Sequence, residues 1–258
     1  MDRLTASQRK SIAALSGNAA RRESGLFRAE GTRCVTDMLP HMTCRHLLAT
    51  AQWIADNPAW AGHPALMQVT SADIARMSSQ QTPQPVIGVF EIPDHQAPVV
   101  DGRALVLALD SVQNPGNLGT IIRLADWFGI SDIIASRGTA DAFGPKVVQA
   151  TMGALVRVRV TYVDDLAGWL DGAGVPVVGT FLDGRDLYAA DDLPLSPAPI
   201  VVMGNEGSGI SPEVEAVVSH RLLIPSFPPG RQTSESLNVA MATGIVVSEL
   251  TRRMHSNG

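Results

Sequence analysis

Apolar residues in this chain gather into short runs, and the longest recur from Ala104 onward. ALVLALD opens the series at Ala104, and SDIIAS, LVRVRVTYV, VPVVGTFL, PIVVMG and RLLIPS follow. Most are continuous rather than alternating, the pattern of strands covered on both faces of a parallel sheet. Between them apolar positions repeat at helical spacing. LGTIIRLADWFG is one such stretch, PKVVQATMG another with Pro145 at a favourable first helical position. Further helices are predicted from Asp164 to Leu170 and from about Leu237 to Arg253. Strands alternating with helices in this way predict a doubly wound, mostly parallel α/β sheet.

The pattern upstream is weaker. Residues 5–20 read as a polar helix, Leu26–Glu30 as a short strand, and Thr32 to Leu39 as a helix. CRHLLAT then AQWIAD, and ALMQV then SADIARM, repeat the strand–helix alternation, with Ser71 as the predicted cap of the last helix. VIGVF at 86–90 closes a small α/β domain. EIPDHQAPVVDGR has little periodicity and two prolines, so a linker is expected there. The predicted organisation is a first domain at 1–95, a linker at 96–103 and a second domain at 104–258.

Composition narrows the class. The chain has 258 residues, 45% hydrophobic and 17% charged, which predicts a folded protein with a substantial core. No apolar run reaches the roughly 18 residues that span a bilayer. MDRLTASQRKSIAALSG has no uninterrupted apolar stretch, so no signal peptide is expected. Cytoplasmic location and two unpaired cysteines follow as expectations. Net charge is −5, which weakens the case for a nucleic-acid partner. The first 34 residues nonetheless carry Arg3, Arg9, Lys10, Arg21, Arg22, Arg28 and Arg33 against Asp2, Glu23 and Glu30. That basic stretch allows contact with an anionic polymer, and equally reads as a solvated helix face.

Candidate chemistry is sparse upstream. Cys34, His41, Cys44 and His46 match no paired metal-ligand spacing, so no metal is expected. GNEGSG at 204–209 lacks both the spacing of a dinucleotide fingerprint and the Lys of a P-loop, and alone reads as a tight strand-to-helix turn. NPGNLGTIIR is more informative. Pro115 and Gly116 make a turn, Asn117 falls near a helix cap, and Arg123 lies just under two turns further along an otherwise apolar helix. Such an arginine either packs its stem and solvates its head, or aims its guanidinium at a phosphate or a reacting hydroxyl. In SESLNVAMATG, Ser234 or Ser236 is the expected cap, which leaves Asn238 without that explanation.

Three blocks together resemble the TrmH/SpoU family of ribose 2′-O-methyltransferases, within the SPOUT class of RNA methyltransferases. They are LDSVQNPGNLGTIIRLADWFGI, VVMGNEGSGISPEV and LLIPSFPPGRQTSESLNVAMATGI, and ADAFGPKVVQATMGAL resembles the family's connecting segment. The resemblance implies a C-terminal trefoil knot and S-adenosylmethionine held by Gly204, Ile224 and Leu237, with Thr180 added. It implies catalytic roles for Asn117, Arg123, Glu206, Ser236 and Asn238, with Glu206 fixing Arg123 or its loop. It also implies a homodimer with the active site near the subunit interface. The N-terminal part is similar to the family's RNA substrate-binding domain. RNA contacts are accordingly expected at Arg9, Lys10, Arg21, Arg22 and Arg28, and at Arg123, Arg137 and Lys146. The implied reaction is methyl transfer to a ribose 2′-hydroxyl of ribosomal RNA, with transfer RNA, or RNA binding without catalysis, as alternatives. One departure is the segment PSFPPGRQTSES, longer than the family's usual loop.

Overall fold

The structure is a computed structural model that describes residues 4–190, 193–228, 234 and 236–256. The chain divides into two compact units. The described residues up to Asp94 form the first together with Asp141–Val156, and His95–Ala140 with the described residues from Arg157 onward form the second. Among the described residues no helix is long and apolar enough to cross a membrane.

The first unit opens with α1 (Ala6–Ala14) and α2 (Asn18–Ser24), where the sequence predicts one helix. The break has a local cause. Arg21 Nη1 donates to the carbonyls of Leu15 at 2.8 Å and Ser16 at 3.0 Å, so those oxygens are satisfied without a further helical turn. β1 (Leu26–Glu30), α3 (Thr32–Met38), β2 (Cys44–Ala49), α4 (Ala51–Asp56), β3 (Leu66–Gln68), α5 (Ser71–Met77) and β4 (Val86–Glu91) follow. The strands form a mixed sheet in the order β1-β4-β2-β3, in which β4 runs antiparallel to both neighbours. Thr70, not Ser71, caps α5. Its hydroxyl accepts from the Asp73 N–H at 3.1 Å, and Asp73 reaches back to the Thr70 N–H, a pairing that needs the acid at the third helical position. Ile12, Leu15, Leu48, Ile74, Met77, Ile87 and Val89 form one apolar cluster of this unit.

Two arginines expected at an RNA surface are instead buried here. Arg28 is 2% exposed, and its Nη1 donates to the carbonyls of Ile12, Ala13 and Met77. Its Nε lies 3.1 Å from Glu30 Oε1 without hydrogen-bond alignment. Burial lowers the Arg28 pKa, and the Glu30 carboxylate acts against that shift. Arg21 is 4% exposed and forks onto Asp141 Oδ2 at 2.6 and 3.0 Å. Both guanidiniums are thus buried against groups of the first unit itself.

In the second unit, β5 (Val106–Leu109), α6 (Pro115–Trp127) and β6 (Asp132–Ser136) precede α7 (Pro145–Thr151), which belongs to the first unit. β7 (Arg159–Val163), α8 (Leu166–Asp171), β8 (Val177–Asp186), β9 (Ile200–Met203), α9 (Pro212–Glu215), β10 (His220–Leu223) and α10 (Val239–Ser256) complete the chain. Every predicted run becomes a strand, although LVRVRVTYV becomes one only from Arg159, because Ala154–Val156 turns as a 3-10 helix. The sheet has the order β10-β8-β9-β5-β6-β7 and every pairing is parallel. Successive strands run outward from β5 through β6 to β7, after which the chain returns to the other side of β5. The junction of β5 and β9 is therefore the topological switch point, where α/β sheets open a crevice beyond their strand ends.

Candidate active site

The site starts at the end of β5. Asp110 is buried, its N–H donates to Met203 O at 2.9 Å, and its Oδ2 accepts from the Ser211 N–H at 2.7 Å. One carboxylate thus ties the loop after β5 to the loop after β9. Ser111 follows at φ 59°, a left-handed conformation costly for a residue with a Cβ. It is held by its N–H donating to Ser136 Oγ at 2.9 Å and its carbonyl accepting from Asn205 Nδ2 at 2.7 Å. Asn114 then caps α6, its Oδ1 accepting from the N–H groups of Gly116 at 2.8 Å and Asn117 at 3.3 Å, with Pro115 at the first helical position. Asn117 is therefore inside the first turn and not at the cap, which leaves its side chain available.

The loop after β9 closes on itself. Asn205 Oδ1 accepts from the N–H groups of Gly207 and Ser208, and Asn205 pairs with Gly209 through their backbones at 2.8 and 3.0 Å. Gly204 is required by this closure. A Cβ there would lie 2.3 Å from the Gly209 carbonyl carbon and 2.4 Å from Ile210 N. The closed loop carries Glu206 toward α6. Its Oε1 accepts from Asn117 Nδ2 at 3.0 Å and from the Asn114 N–H at 3.1 Å, and its Oε2 from the Gln113 N–H at 3.3 Å. Burial would raise the Glu206 pKa, but hydrogen bonds from Asn117 and from the backbone of Glu206, Asn114 and Gln113 hold it below the ordinary value. Glu206 thus fixes Asn117 and its loop, and Arg123 is not its partner.

Asn238 joins the same run from a third direction. Its Nδ2 donates to Asn117 Oδ1 at 2.9 Å, while its Oδ1 accepts from the N–H groups of Ala240 at 3.0 Å and Met241 at 3.3 Å. The last helix accordingly begins at Val239, and Asn238 itself supplies the cap expected of Ser234 or Ser236. Its two amide atoms divide the work, the oxygen ending the helix and the nitrogen orienting Asn117. The result is a directed line of hydrogen bonds, Asn238 to Asn117 to Glu206, across three segments separated by 121 and 89 residues.

Arg123 stands apart from this line. It is exposed on α6, and no hydrogen bond or ion pair engages it among the described residues. Six residues past Asn117 it is rotated roughly 240° around the helix, onto the face of Thr120 and of Trp127, which is 84% exposed. Ser236 and Leu237 are also exposed, and residues 229–233 and 235 of the lengthened loop lie outside the described residues. Gly204 and Ile224 follow β9 and β10 directly, and Thr180 lies within the neighbouring β8, one residue past its last partner on β9 at Gly179. The pairing of β10 with β8 jumps there from Arg221↔Gly179 to Leu222↔Arg185, so residues 180–184 leave the ladder. Gly184 meets β10 so closely that a Cβ would sit 2.4 Å from the Leu222 carbonyl carbon. Phe181, in the excursion, lies under the Arg221 guanidinium at 3.6 Å, and Arg221 also pairs with Asp183 and Glu215.

Of the residues expected to meet RNA, Lys10, Arg22 and Lys146 are exposed, Arg9 is partly engaged by Asp73 at 3.2 Å, and Arg137 pairs with Asp164 at 2.6 Å. Sequence reasoning missed Asp110, Ser111, Asn114 and Asn205, which build the scaffold of the site. Asn114 was findable, since Asn before Pro-Gly is a cap signature. The residues implied for the cofactor lie within β8, after β9, after β10 and just before α10. They offer main-chain groups, the Thr180 hydroxyl and aliphatic Ile224 and Leu237. That chemistry suits an adenosyl group with an amino-acid tail and does not suit a polyphosphate, which calls for basic side chains.

Comparison with known proteins identifies the family. Residues 104–248 match the SpoU rRNA Methylase family, and residues 7–88 match the MRM3-like substrate binding domain. The chain is 33% identical over 180 residues to the 23S rRNA (guanosine(2553)-2′-O)-methyltransferase RlmP of Bacillus subtilis, covering 67% of each. Among solved structures it resembles a protein described as a TrmH-family RNA methyltransferase from Porphyromonas gingivalis, with TM-score 0.86 and 43% identity over 98% of this chain and 100% of that one. It also resembles the AdoMet-bound rRNA methyltransferase of Sinorhizobium meliloti, with TM-score 0.82 and 32% identity over 98% and 97% of the two chains. With the family match spanning β5 to α10 and all three segments of the hydrogen-bonded line inside it, the chain belongs to the SpoU rRNA methylase family.

Proposed function

We propose that this protein transfers the methyl group of S-adenosylmethionine to a ribose 2′-hydroxyl of ribosomal RNA. The observation that carries this reading is the line from Asn238 through Asn117 to Glu206 at the switch point of the parallel sheet. The activities named for the B. subtilis and S. meliloti relatives support it. Thr180, Gly204, Ile224 and Leu237 would hold the cofactor, which supplies an electrophilic methyl group on a sulfonium. The residues of the chain do the rest. Asn117 and Asn238, locked by their mutual bond and by Glu206, present neutral amides to the ribose. Arg123 orients the target hydroxyl or its adjacent phosphate. A guanidinium stays protonated, so this positioning role comes before any role as base. Ser236, exposed two residues before Asn238, adds a hydroxyl. Holding the acceptor in line supplies much of the rate.

The reading includes a homodimer. Trp127 is 84% and Met241 62% exposed, both on the second unit, and Arg123 shares Trp127's face of α6. Pairing of two copies through the exposed Trp127 face would bring Arg123 to a subunit boundary. A trefoil knot is part of the same reading, supported by the interrupted pairing of β10 with β8 and the close passage at Gly184. Residues 1–95 serve as the RNA substrate-binding domain and 104–258 as the methyltransferase domain, with 96–103 as the linker. Arg9, Lys10, Arg22 and Lys146 contact RNA phosphates. The test is incubation with tritium-labelled S-adenosylmethionine and separate unmodified rRNA and tRNA transcripts, then mass mapping of the product. Label is expected in rRNA, on a 2′-O-methyl nucleoside. Label on a base, in tRNA alone or nowhere overturns the proposal.

A further inference from the structure

A cavity lies wholly within the first unit, and none of the residues implied for methyl transfer lines it. Its volume is about 230 Å3, and its walls are Arg28, Glu30, Ser79, Gln80, Pro145, Lys146, Val148 and Gln149. That is below the roughly 300–1,000 Å3 of pockets for drug-sized ligands and suits a single planar fragment.

The chemistry of the walls is uneven. At one end Arg28 and Glu30 are 2% and 4% exposed and face each other. The Glu30 carboxylate is engaged by Ser78 Oγ and by the N–H and hydroxyl of Ser79 at 3.0 and 2.9 Å. This end is rigid and neutral overall, yet Arg28 Nε keeps an unused donor. Pro145 and Val148 are apolar walls, and Lys146 brings an exposed cation to the lining.

Two amides define what the cavity can read. Gln80 Nε2 donates to Gln149 Oε1 at 2.8 Å, which joins the two side chains. The bond leaves the Gln80 side-chain oxygen as an acceptor and the Gln149 nitrogen as a donor. One acceptor and one donor thus remain on the lining, the complement that the edge of a nucleobase offers. An inorganic anion would have no use for the acceptor. A lipid chain would have no use for either.

We propose that this cavity receives one unpaired base of the RNA, read by Gln80 and Gln149, with Lys146 on the neighbouring phosphate. Proteins read RNA sequence chiefly through unstacked bases taken into such sites. The inference rests on the RNA-methylating reading above and assigns its first unit a base-specific contact, beyond electrostatic attachment.

The test uses the whole protein and short single-stranded oligomers of A, G, C or U. Affinity is measured by fluorescence anisotropy at several salt concentrations, with methyl transfer to rRNA assayed in parallel. Wild type is expected to prefer one base by about tenfold or more, in line with the ~1–3 kcal/mol of a good bidentate contact. Gln149→Ala and Gln80→Ala should each erase the preference and leave the salt dependence unchanged. Lys146→Ala should weaken all four oligomers equally and reduce the salt slope by about 0.7, one single-strand phosphate. Equal affinity of the wild type for all four bases overturns the pocket, as does a preference that survives in both glutamine variants. Either of those results together with intact rRNA methylation leaves the function standing. Absence of methyl transfer overturns the function instead.

Discussion

Arg28 and Arg123 sit in opposite surroundings. Arg28, on β1 of the first unit, is 2% exposed and surrounded by Glu30 and main-chain carbonyls. Arg123, on α6 of the second, is exposed and has no partner among the described residues. The first lies in a basic stretch that attracts attention for its charge. The second lies among Ile121, Ile122, Leu124 and Ala125 and attracts attention for its neighbours. Neighbours prove the better guide to availability. A charged residue in a strand such as LFRAE can be buried if a carboxylate lies two positions away to compensate it. Arg123 has Asp126 one turn further along its helix, but Arg157 already occupies that carboxylate at 2.7 and 2.8 Å, so Arg123 keeps its charge for a ligand.

The largest effect should come from breaking the buried pair. Arg28→Ala leaves Glu30 uncompensated in the core, and loss of one partner from such a pair costs about 3–5 kcal/mol. Urea denaturation should show the midpoint falling by that equivalent. The double variant Arg28→Met with Glu30→Leu should recover much of the loss, because it removes both charges together. A single variant as stable as wild type would mean the pair contributes nothing, and the contrast with Arg123 would collapse.

Arg123→Ala should do the reverse. Folding should be unaffected, since its guanidinium holds no other part of the described chain, and S-adenosylmethionine should still bind in a calorimetric titration. Methyl transfer should drop about 10²–10³-fold, the usual cost of removing a group that acts on developing charge. Near wild-type turnover would remove Arg123 from the mechanism.

The fold was readable from the sequence wherever both faces of an element are covered. VLAL in ALVLALD and IVVM in PIVVMG are apolar throughout because helices pack on either side of the parallel sheet. Helix beginnings were less readable. Asn114 and Asn238 end loops and start helices with side-chain oxygens, and a sequence does not say whether an asparagine faces its own backbone or a distant residue. Asn238 does both. The partner of Glu206 was out of reach for the same reason, since Asn117 lies 89 residues away and is brought near only by the strand order β9-β5. The burial of Arg21 depends likewise on Asp141, which lies 120 positions downstream.

A smaller effect concerns acid. The Glu206 pKa is depressed in the folded protein, so its hydrogen bonds contribute stability in full above its unfolded value of about 4.5. That contribution is lost as pH falls through the lower folded value. Glu206→Gln, with one acceptor atom fewer and no charge, should be less stable than wild type near neutrality. The difference should shrink to nothing under acid, when the carboxyl is protonated. Urea midpoints for both proteins across the acid range measure it. A difference independent of pH would mean the carboxylate charge does not hold Asn117 and its loop.

The least perturbing change bears on the same contrast within the first unit. Lys10 and Arg22 are exposed, and Arg21 beside them is buried on Asp141. Replacing Lys10 and Arg22 by Ala should leave the melting temperature in place, because exposed charges contribute little to folding. It should weaken RNA binding modestly and lower the slope of log affinity against log salt by about 0.7 for each phosphate no longer neutralised. Arg21→Ala should do the opposite, lowering stability through the unpaired Asp141 and the freed carbonyls of Leu15 and Ser16, with the salt slope unchanged in whatever fraction remains folded. Adjacent arginines with opposite signatures would show that burial, and not local charge density, decides which basic residues meet the RNA. A salt slope that responds equally to both changes would mean that Arg21 leaves Asp141 when RNA binds.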